Sequence, residues 1–219
     1  MNLAAPLLVV FSYLLGSFPT AYLAGRSMKG IDIREYGSGN VGASNVSVHV
    51  SRLAFLAVGP FDFLKGMVPA WAARRLDLSL EVGVMAGLAA MVGHSWSLYL
   101  GFKGGRGISV GLGTMAMIAP LEFLLVLFIL ALAVLMKNVP LGIGIGMASS
   151  PLLAWLLKEP APVMAGCGAL ALLTFAKRLL ANWEPLRGPK REAIINRLLF
   201  DRDIRDREEW IKRLPSERR

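Results

Sequence analysis

Residues 3–25 read LAAPLLVVFSYLLGSFPTAYLAG, 23 positions without a single Asp, Glu, Lys or Arg. Wound as a helix at ~1.5 Å per residue, a run of that length matches the ~30 Å hydrocarbon core of a bilayer. It lacks the basic n-region of a secretory signal and is longer than one, so it is read as a retained transmembrane helix. Working outward, further predominantly apolar windows lie near 53–73, 82–101, 121–136, 139–157 and 161–180, which makes six. The uncharged Gly-, Met- and Ala-rich stretch between Gly107 and Pro120 is shorter and reads as a seventh helix, tilted or partly re-entrant.

Composition supports that class. With 55% hydrophobic and 18% charged residues and a mean hydropathy of +0.54, the 219-residue chain carries more apolar surface than a soluble domain of its size buries. The expected fold is all-α, a polytopic membrane bundle of about seven helices. A single Cys167 excludes an internal disulfide and a Cys-rich metal site, and no carboxylate-rich ligand set, nucleophile elbow or P-loop is present. The net charge of +9 is spread over loops and tail instead of forming one basic face, so nucleic acid is not the expected partner. Anionic lipid headgroups and phosphorylated metabolites are, with no cofactor.

The Lys/Arg distribution sets the expected orientation. With seven spans, Arg26, Lys29, Arg34, Arg52, Lys103, Arg106, Lys137, Lys177 and Arg178 fall on one side, and Arg74, Arg75 and Lys158 on the other. The first side is therefore expected to be cytoplasmic, with the N-terminus outside and the C-terminus inside; a six-span count loses this asymmetry. The expected location is the plasma (inner) membrane. After a transmembrane domain over 1–182, residues 183–219 form a basic tail. There Arg187, Lys190, Arg191, Arg197, Arg202 and Arg205 alternate with Glu192, Asp201, Asp203 and Asp206. Ile194, Ile195, Leu198 and Leu199 repeat at helical spacing, which suits an amphipathic helix on the headgroups; a solvated tail is the alternative.

Two glycine-rich polar elements sit at span ends on the expected cytoplasmic side. One is Gly37-Ser38-Gly39-Asn40-Val41-Gly42-Ala43-Ser44-Asn45, the other Lys103-Gly104-Gly105-Arg106-Gly107. Glycine lets backbone N–H groups turn toward an anion, Ser38, Asn40, Ser44 and Asn45 add polar side chains, and Lys103 and Arg106 add countercharge. The plain readings are a tight turn for the first and an interfacial anchor for the second. The glycines flanking Arg106 favour phosphate contact, since an anchor has no use for them. Asp62 and Lys65 share one face of an apolar span, either as a structural ion pair or as a pocket cation oriented by a carboxylate. His94 is a candidate general base, with a buried neutral histidine as the alternative.

Taken in order, Gly16-Ser17-Phe18-Pro19, Asp32-Ile33-Arg34, the Gly37–Asn45 run, Asp62-Phe63-Leu64-Lys65-Gly66, Gly93-His94 and Phe102–Gly107 form one pattern. In it the chain resembles the PlsY-type acyl-phosphate:glycerol-3-phosphate acyltransferases, over roughly the first 110 residues and more weakly to about 190. The resemblance implies a seven-helix enzyme that moves an acyl group from acyl phosphate to the 1-hydroxyl of glycerol 3-phosphate, giving lysophosphatidic acid and phosphate for phospholipid synthesis. It also implies that Ser38 and Asn45 line a phosphate pocket, that Arg106 stands where the family has a lysine, and that Asn182 matches a polar site residue. The chain departs from the pattern at Val48, where an arginine is expected, and at Leu179, where a histidine is. These departures keep open a divergent, non-catalytic paralogue that binds phosphorylated lipid precursors. The charged pair Asp62/Lys65 within a span also keeps open a small transporter for phosphorylated metabolites.

Overall fold

A computed structural model of the chain describes residues 3–183, 185–186, 189–204 and 206–214, so Arg187 and Arg205 of the expected basic tail lie outside the described residues. Every regular element among the described residues is helical. The decisive apolar run folds as two helices, α1 (Ala4–Ser17) and α2 (Thr20–Lys29). Pro19 has no N–H to donate and pushes Phe18 to an extended conformation, so the helix stops and restarts. After a short 3-10 turn and α3 (Ala43–His49), the apolar runs continue as α4 (Arg52–Arg75), α5 (Leu80–Ser95), α6 (Ile108–Ile118), α7 (Pro120–Leu135), α8 (Val139–Leu156) and α9 (Ala161–Leu180). Two short helices, α10 (Lys190–Phe200) and α11 (Arg207–Lys212), make the tail.

Ala4–Lys29, Arg52–Arg75, Val139–Leu156 and Ala161–Leu180 are each long and apolar enough to cross a membrane. The stretch expected as a tilted or re-entrant seventh helix is α6, whose 11 residues rise about 16 Å, roughly half a bilayer's hydrocarbon thickness. It lies inside the bundle, with Val110, Leu112 and Met115 packed against Met91, Met147 and Leu170. Its crossing with α4 depends on glycine. A Cβ at Gly66 would lie 1.9 Å from the Val110 carbonyl oxygen, and one at Gly113 1.9 Å from that of Phe63. Such backbone approach is how membrane helices gain dispersion contact when lipid is as apolar as their own side chains. Leu7, Phe11, Leu56, Phe128, Leu135 and Trp155 are exposed on the outside, as a lipid-facing surface requires.

The break in the first run is held by the buried pair singled out in the sequence. Lys65 Nζ donates to the Phe18 carbonyl oxygen at 2.6 Å, to Thr20 Oγ1 at 2.9 Å and to Asp62 Oδ1 at 2.6 Å. Thr20 Oγ1 donates in turn to Asp62 Oδ1 at 2.6 Å. An ammonium has three donors, and all three are occupied by protein. Lys65 and Asp62, expected as substrate-binding residues, are therefore placed as the clamp on the α1–α2 break, the structural one of their two readings. Replacing Lys65 with Met leaves Asp62 buried without its countercharge and should cost about 3–5 kcal/mol. The double variant Asp62→Asn/Lys65→Met should cost distinctly less, as read from thermal unfolding in detergent.

Candidate active site

Three segments meet at one end of the bundle, and each is shaped by local chemistry. The first is the loop from Gly30 to Asn45. Asp32 receives the Arg34 backbone N–H at 3.0 Å and the Arg34 guanidinium at 2.7 Å from Nη2 to Oδ2, which opens the loop with a tight turn. Gly37 and Gly39 adopt φ of +51° and +67°, conformations that disfavour side chains. Asn45 is buried, and its Nδ2 lies 3.1, 3.0 and 3.2 Å from the carbonyl oxygens of Ile33, Tyr36 and Asn40. The Asn45 amide thus shapes the loop, a different task from the phosphate contact expected of it. Ser38 Oγ accepts the Asn40 N–H at 3.3 Å, and Ser44 is exposed.

The second segment follows α5. Gly104 and Gly105 donate their N–H groups to the carbonyl oxygens of Ser95 at 3.2 Å and His94 at 3.0 Å. A Cβ on Gly104 would meet the His94 carbonyl oxygen at 2.0 Å, and one on Gly105 would meet His94 Nε2 at 2.1 Å. These glycines let the loop fold back onto the end of α5. Their N–H groups are occupied there, which corrects the expectation that they face an anion. Gly107, at φ +75°, turns the chain into α6. Lys103 is exposed, whereas Arg106 is only 5% exposed. His94 is buried, with Nδ1 3.7 Å from Asp62 Oδ1, and it lines a small cavity with Ser17, Thr20, Ser97 and Gly104.

The third segment ends α9. Ala181 and Asn182 both take left-handed backbone conformations, at φ 41° and 60°, which suits asparagine better than alanine. The turn aims the Asn182 amide across the loops. Nδ2 lies 3.0 Å from the Gly104 carbonyl oxygen and 3.5 Å from that of Gly39, and Oδ1 accepts from Lys177 Nζ at 2.7 Å. Lys177 is fully buried, also donates to the Ser95 carbonyl oxygen, and lies 4.9 Å from the centre of the Trp96 ring. Its own carbonyl accepts from Arg106 Nη1 at 3.4 Å. Arg178, buried beside it, donates to the carbonyl oxygens of Leu198 at 2.7 Å and Pro140 at 2.6 Å.

The two glycine-rich elements therefore do converge, and Asn182 joins them. Next to them sit three buried cations, Arg106, Lys177 and Arg178. Among the described residues, one carboxylate is ion-paired to this group, that of Asp201, 2.6 Å from Arg106 Nε. An excess of buried positive charge suits an anionic ligand with several oxygen acceptors. Lys177 and Arg178 are buried cations of this group that sequence reading did not single out, since their place at a span end made them look like ordinary interfacial anchors. Val48 and Leu179, where the resemblance led to the expectation of an arginine and a histidine, are exposed at 48% and 39%.

At the loop's entrance, burial works against the charged form of Asp32. The hydrogen bonds from the Arg34 side chain and backbone and the attraction of Arg34 and Arg26 outweigh it, and hold the carboxyl below the usual carboxylate range. A depressed folded-state value means this contribution to stability is intact above about pH 4 and is lost as pH falls through the folded-state value. Asp32→Asn should accordingly lower the unfolding temperature at neutral pH, and the gap to the unsubstituted protein should close on acidification below about pH 4.

An all-helical bundle with apolar helices long enough to cross a membrane, and buried cations gathered at one end, defines the class as a multi-pass membrane protein. Comparison narrows that class. A family profile described as glycerol-3-phosphate acyltransferase matches residues 6–184. Glycerol-3-phosphate acyltransferase 5 of Dehalococcoides mccartyi is 37% identical, over 97% of this chain and 95% of its own length. Glycerol-3-phosphate acyltransferase 2 of Moorella thermoacetica is 38% identical, over 84% and 98%. Crystal structures of PlsY (YgiH), an integral membrane glycerol 3-phosphate acyltransferase, superimpose with TM-scores of 0.72 for the glycerol 3-phosphate form and 0.73 for the lysophosphatidic acid form. Their sequence identities are 31% and 30%, they cover 86% and 95% of this chain, and each is covered over 98% of its own length. The chain belongs to the glycerol-3-phosphate acyltransferase family.

Proposed function

We infer that this protein is an acyltransferase that esterifies the 1-hydroxyl of glycerol 3-phosphate, with acyl phosphate as donor, to give lysophosphatidic acid and inorganic phosphate. The observation that carries this reading is the Asn182 amide bridging both glycine-rich loops beside buried Arg106 and Lys177. Phosphoryl oxygens take charge-assisted hydrogen bonds from such cations, and Arg106 presents a planar fork suited to two of them. With the headgroup so held, the glycerol hydroxyl attacks the acyl carbonyl carbon. The new C–O bond forms, the bond to the phosphate oxygen breaks, and phosphate leaves with the electron pair. The hydroxyl proton passes to a phosphate oxygen, so no strong protein base is required. His94, expected as a candidate base, is buried beside the Asp62/Lys65 clamp, which favours its structural reading. Catalysis then rests on positioning and on stabilising charge at the departing phosphate.

The same reading places the protein in the plasma membrane with seven crossings, the N-terminus outside and the site facing the cytoplasm, in keeping with the Lys/Arg asymmetry. The short α6 crosses with help from the end of the loop that precedes it, where residues 104–107 are buried, as irregular backbone at membrane depth must be. Membrane lipid surrounds the apolar outer face and receives the acylated product.

Purified protein given acyl phosphate and glycerol 3-phosphate should release inorganic phosphate and form lysophosphatidic acid. Arg106→Ala and Lys177→Met should each lower kcat/KM by about ten- to a hundredfold, the value of one charge-assisted contact of about 1.5–3 kcal/mol. Phosphate release no faster than in a protein-free control would replace this reading with that of a non-catalytic binding protein.

A further inference from the structure

The C-terminal segment fastens to both sides of the rim. On one side the Leu198 carbonyl oxygen accepts from Arg178 at 2.7 Å, and Arg197 Nη1 donates to the Leu179 carbonyl oxygen at 2.7 Å. On the other, the Ile211 carbonyl oxygen lies 2.8 Å from His49 Nε2. There Gly37 exchanges two bonds with Arg213: its N–H donates to the Arg213 carbonyl oxygen at 2.8 Å, and its carbonyl oxygen accepts from Arg213 Nη2 at 3.0 Å. Gly37 begins the first glycine-rich loop, so the tail is seated on the loop itself.

Between these anchors, α10 ends at Asp201 in a left-handed conformation, φ 55° and ψ 37°. That turn delivers its carboxylate to Arg106 Nε at 2.6 Å. The Arg106 side chain is 5% exposed and that of Asp201 24%, so Asp201 is the more solvent-accessible partner of the pair. A carboxylate and a phosphoryl group offer a guanidinium the same kind of charged oxygen acceptor.

We propose that Asp201 is a specificity-determining residue of this site: in the free protein its carboxylate occupies the face of Arg106 that a substrate phosphoryl group takes on binding. The inference rests on the reading of Arg106 as a phosphate-binding cation. Substrate entry then exchanges a singly charged carboxylate for a phosphoryl group, and the Asp201 side chain turns away from Arg106. A phosphomonoester dianion can displace the tethered carboxylate, whereas singly charged anions compete poorly, which is selection by a built-in rival. The apparent affinity for substrate is lowered by the fraction of protein whose Arg106 is covered.

Asparagine and glycine both accept the left-handed backbone at this position, so Asp201→Asn and Asp201→Gly remove the charge and keep the turn. In full-length protein in detergent, calorimetric titration with glycerol 3-phosphate should show both variants binding about fivefold or more tightly than the unsubstituted protein, while Asp201→Glu stays near it. In turnover, KM for glycerol 3-phosphate should fall by a similar factor, and acetate should become an inhibitor. Unchanged or weaker binding in both neutral variants overturns the proposal and makes Asp201 a structural tie. If the unsubstituted protein binds glycerol 3-phosphate without turnover, the acyltransfer reading fails while the titration still decides the role of Asp201. If it does not bind glycerol 3-phosphate at all, both fall.

Discussion

The amide of Asn182 is the interaction on which the functional end of this protein depends. One side chain touches Gly39, Gly104 and Lys177, which come from loops and a helix far apart in sequence. Apolar packing of Ile33 and Val41 with Leu100 brings the two loops together, but it does not aim the polar groups of these segments at one another. Directional hydrogen bonds must do it, and an amide has both donor and acceptor capacity for the task. The left-handed backbone at Ala181 and Asn182 aims that amide, and such conformations persist where the surroundings over-determine them.

Charge inside an apolar bundle serves two distinct ends here. The Lys65 ammonium is satisfied by three protein acceptors and holds the break at Phe18–Pro19, which makes it part of the architecture. Arg106, Lys177 and Arg178 are equally buried, yet Asp201 alone among the described residues brings a carboxylate into ion-pair distance of them. The first arrangement is closed to a ligand and the second has charge left over. Both would look alike on a hydropathy plot, and the difference lies in how many of each cation's donors the protein itself satisfies.

Glycine likewise has more than one role in this fold. At Gly66 and Gly113 it removes the Cβ atoms that would keep α4 and α6 apart, and at Gly104 and Gly105 it lets a loop lie against the end of α5. At Gly37 and Gly39 it permits positive φ in the loop that the tail covers. The glycine-rich signature is thus partly a packing signature, and the proposed phosphate site rests more on Arg106, Lys177 and Asn182 than on free backbone N–H groups.

The amino-acid sequence by itself determined the class of the protein and the helical runs. Predominantly apolar stretches long enough for a bilayer, such as 3–25 and 161–180, must satisfy their backbone groups within the segment, and both are helical, the first with a break at Phe18–Pro19. Its ordered motifs also pointed to the glycerol-3-phosphate acyltransferase family, and singled out Ser38, Arg106 and Asn182 as candidates for one site. Tertiary structure decided which polar residues build and which are left to bind. Asp62, Lys65 and Asn45 carry the same groups as site residues, but Lys65 Nζ and Asn45 Nδ2 face Phe18, Thr20 and nearby loop carbonyls, and Asp62 Oδ1 accepts from Lys65 and Thr20. Lys177, Arg178 and Asp201 escaped sequence reading because their significance comes from contacts between segments distant in the chain. Local periodicity reports which face of a helix is apolar, and it carries no information about what another segment places opposite a charge.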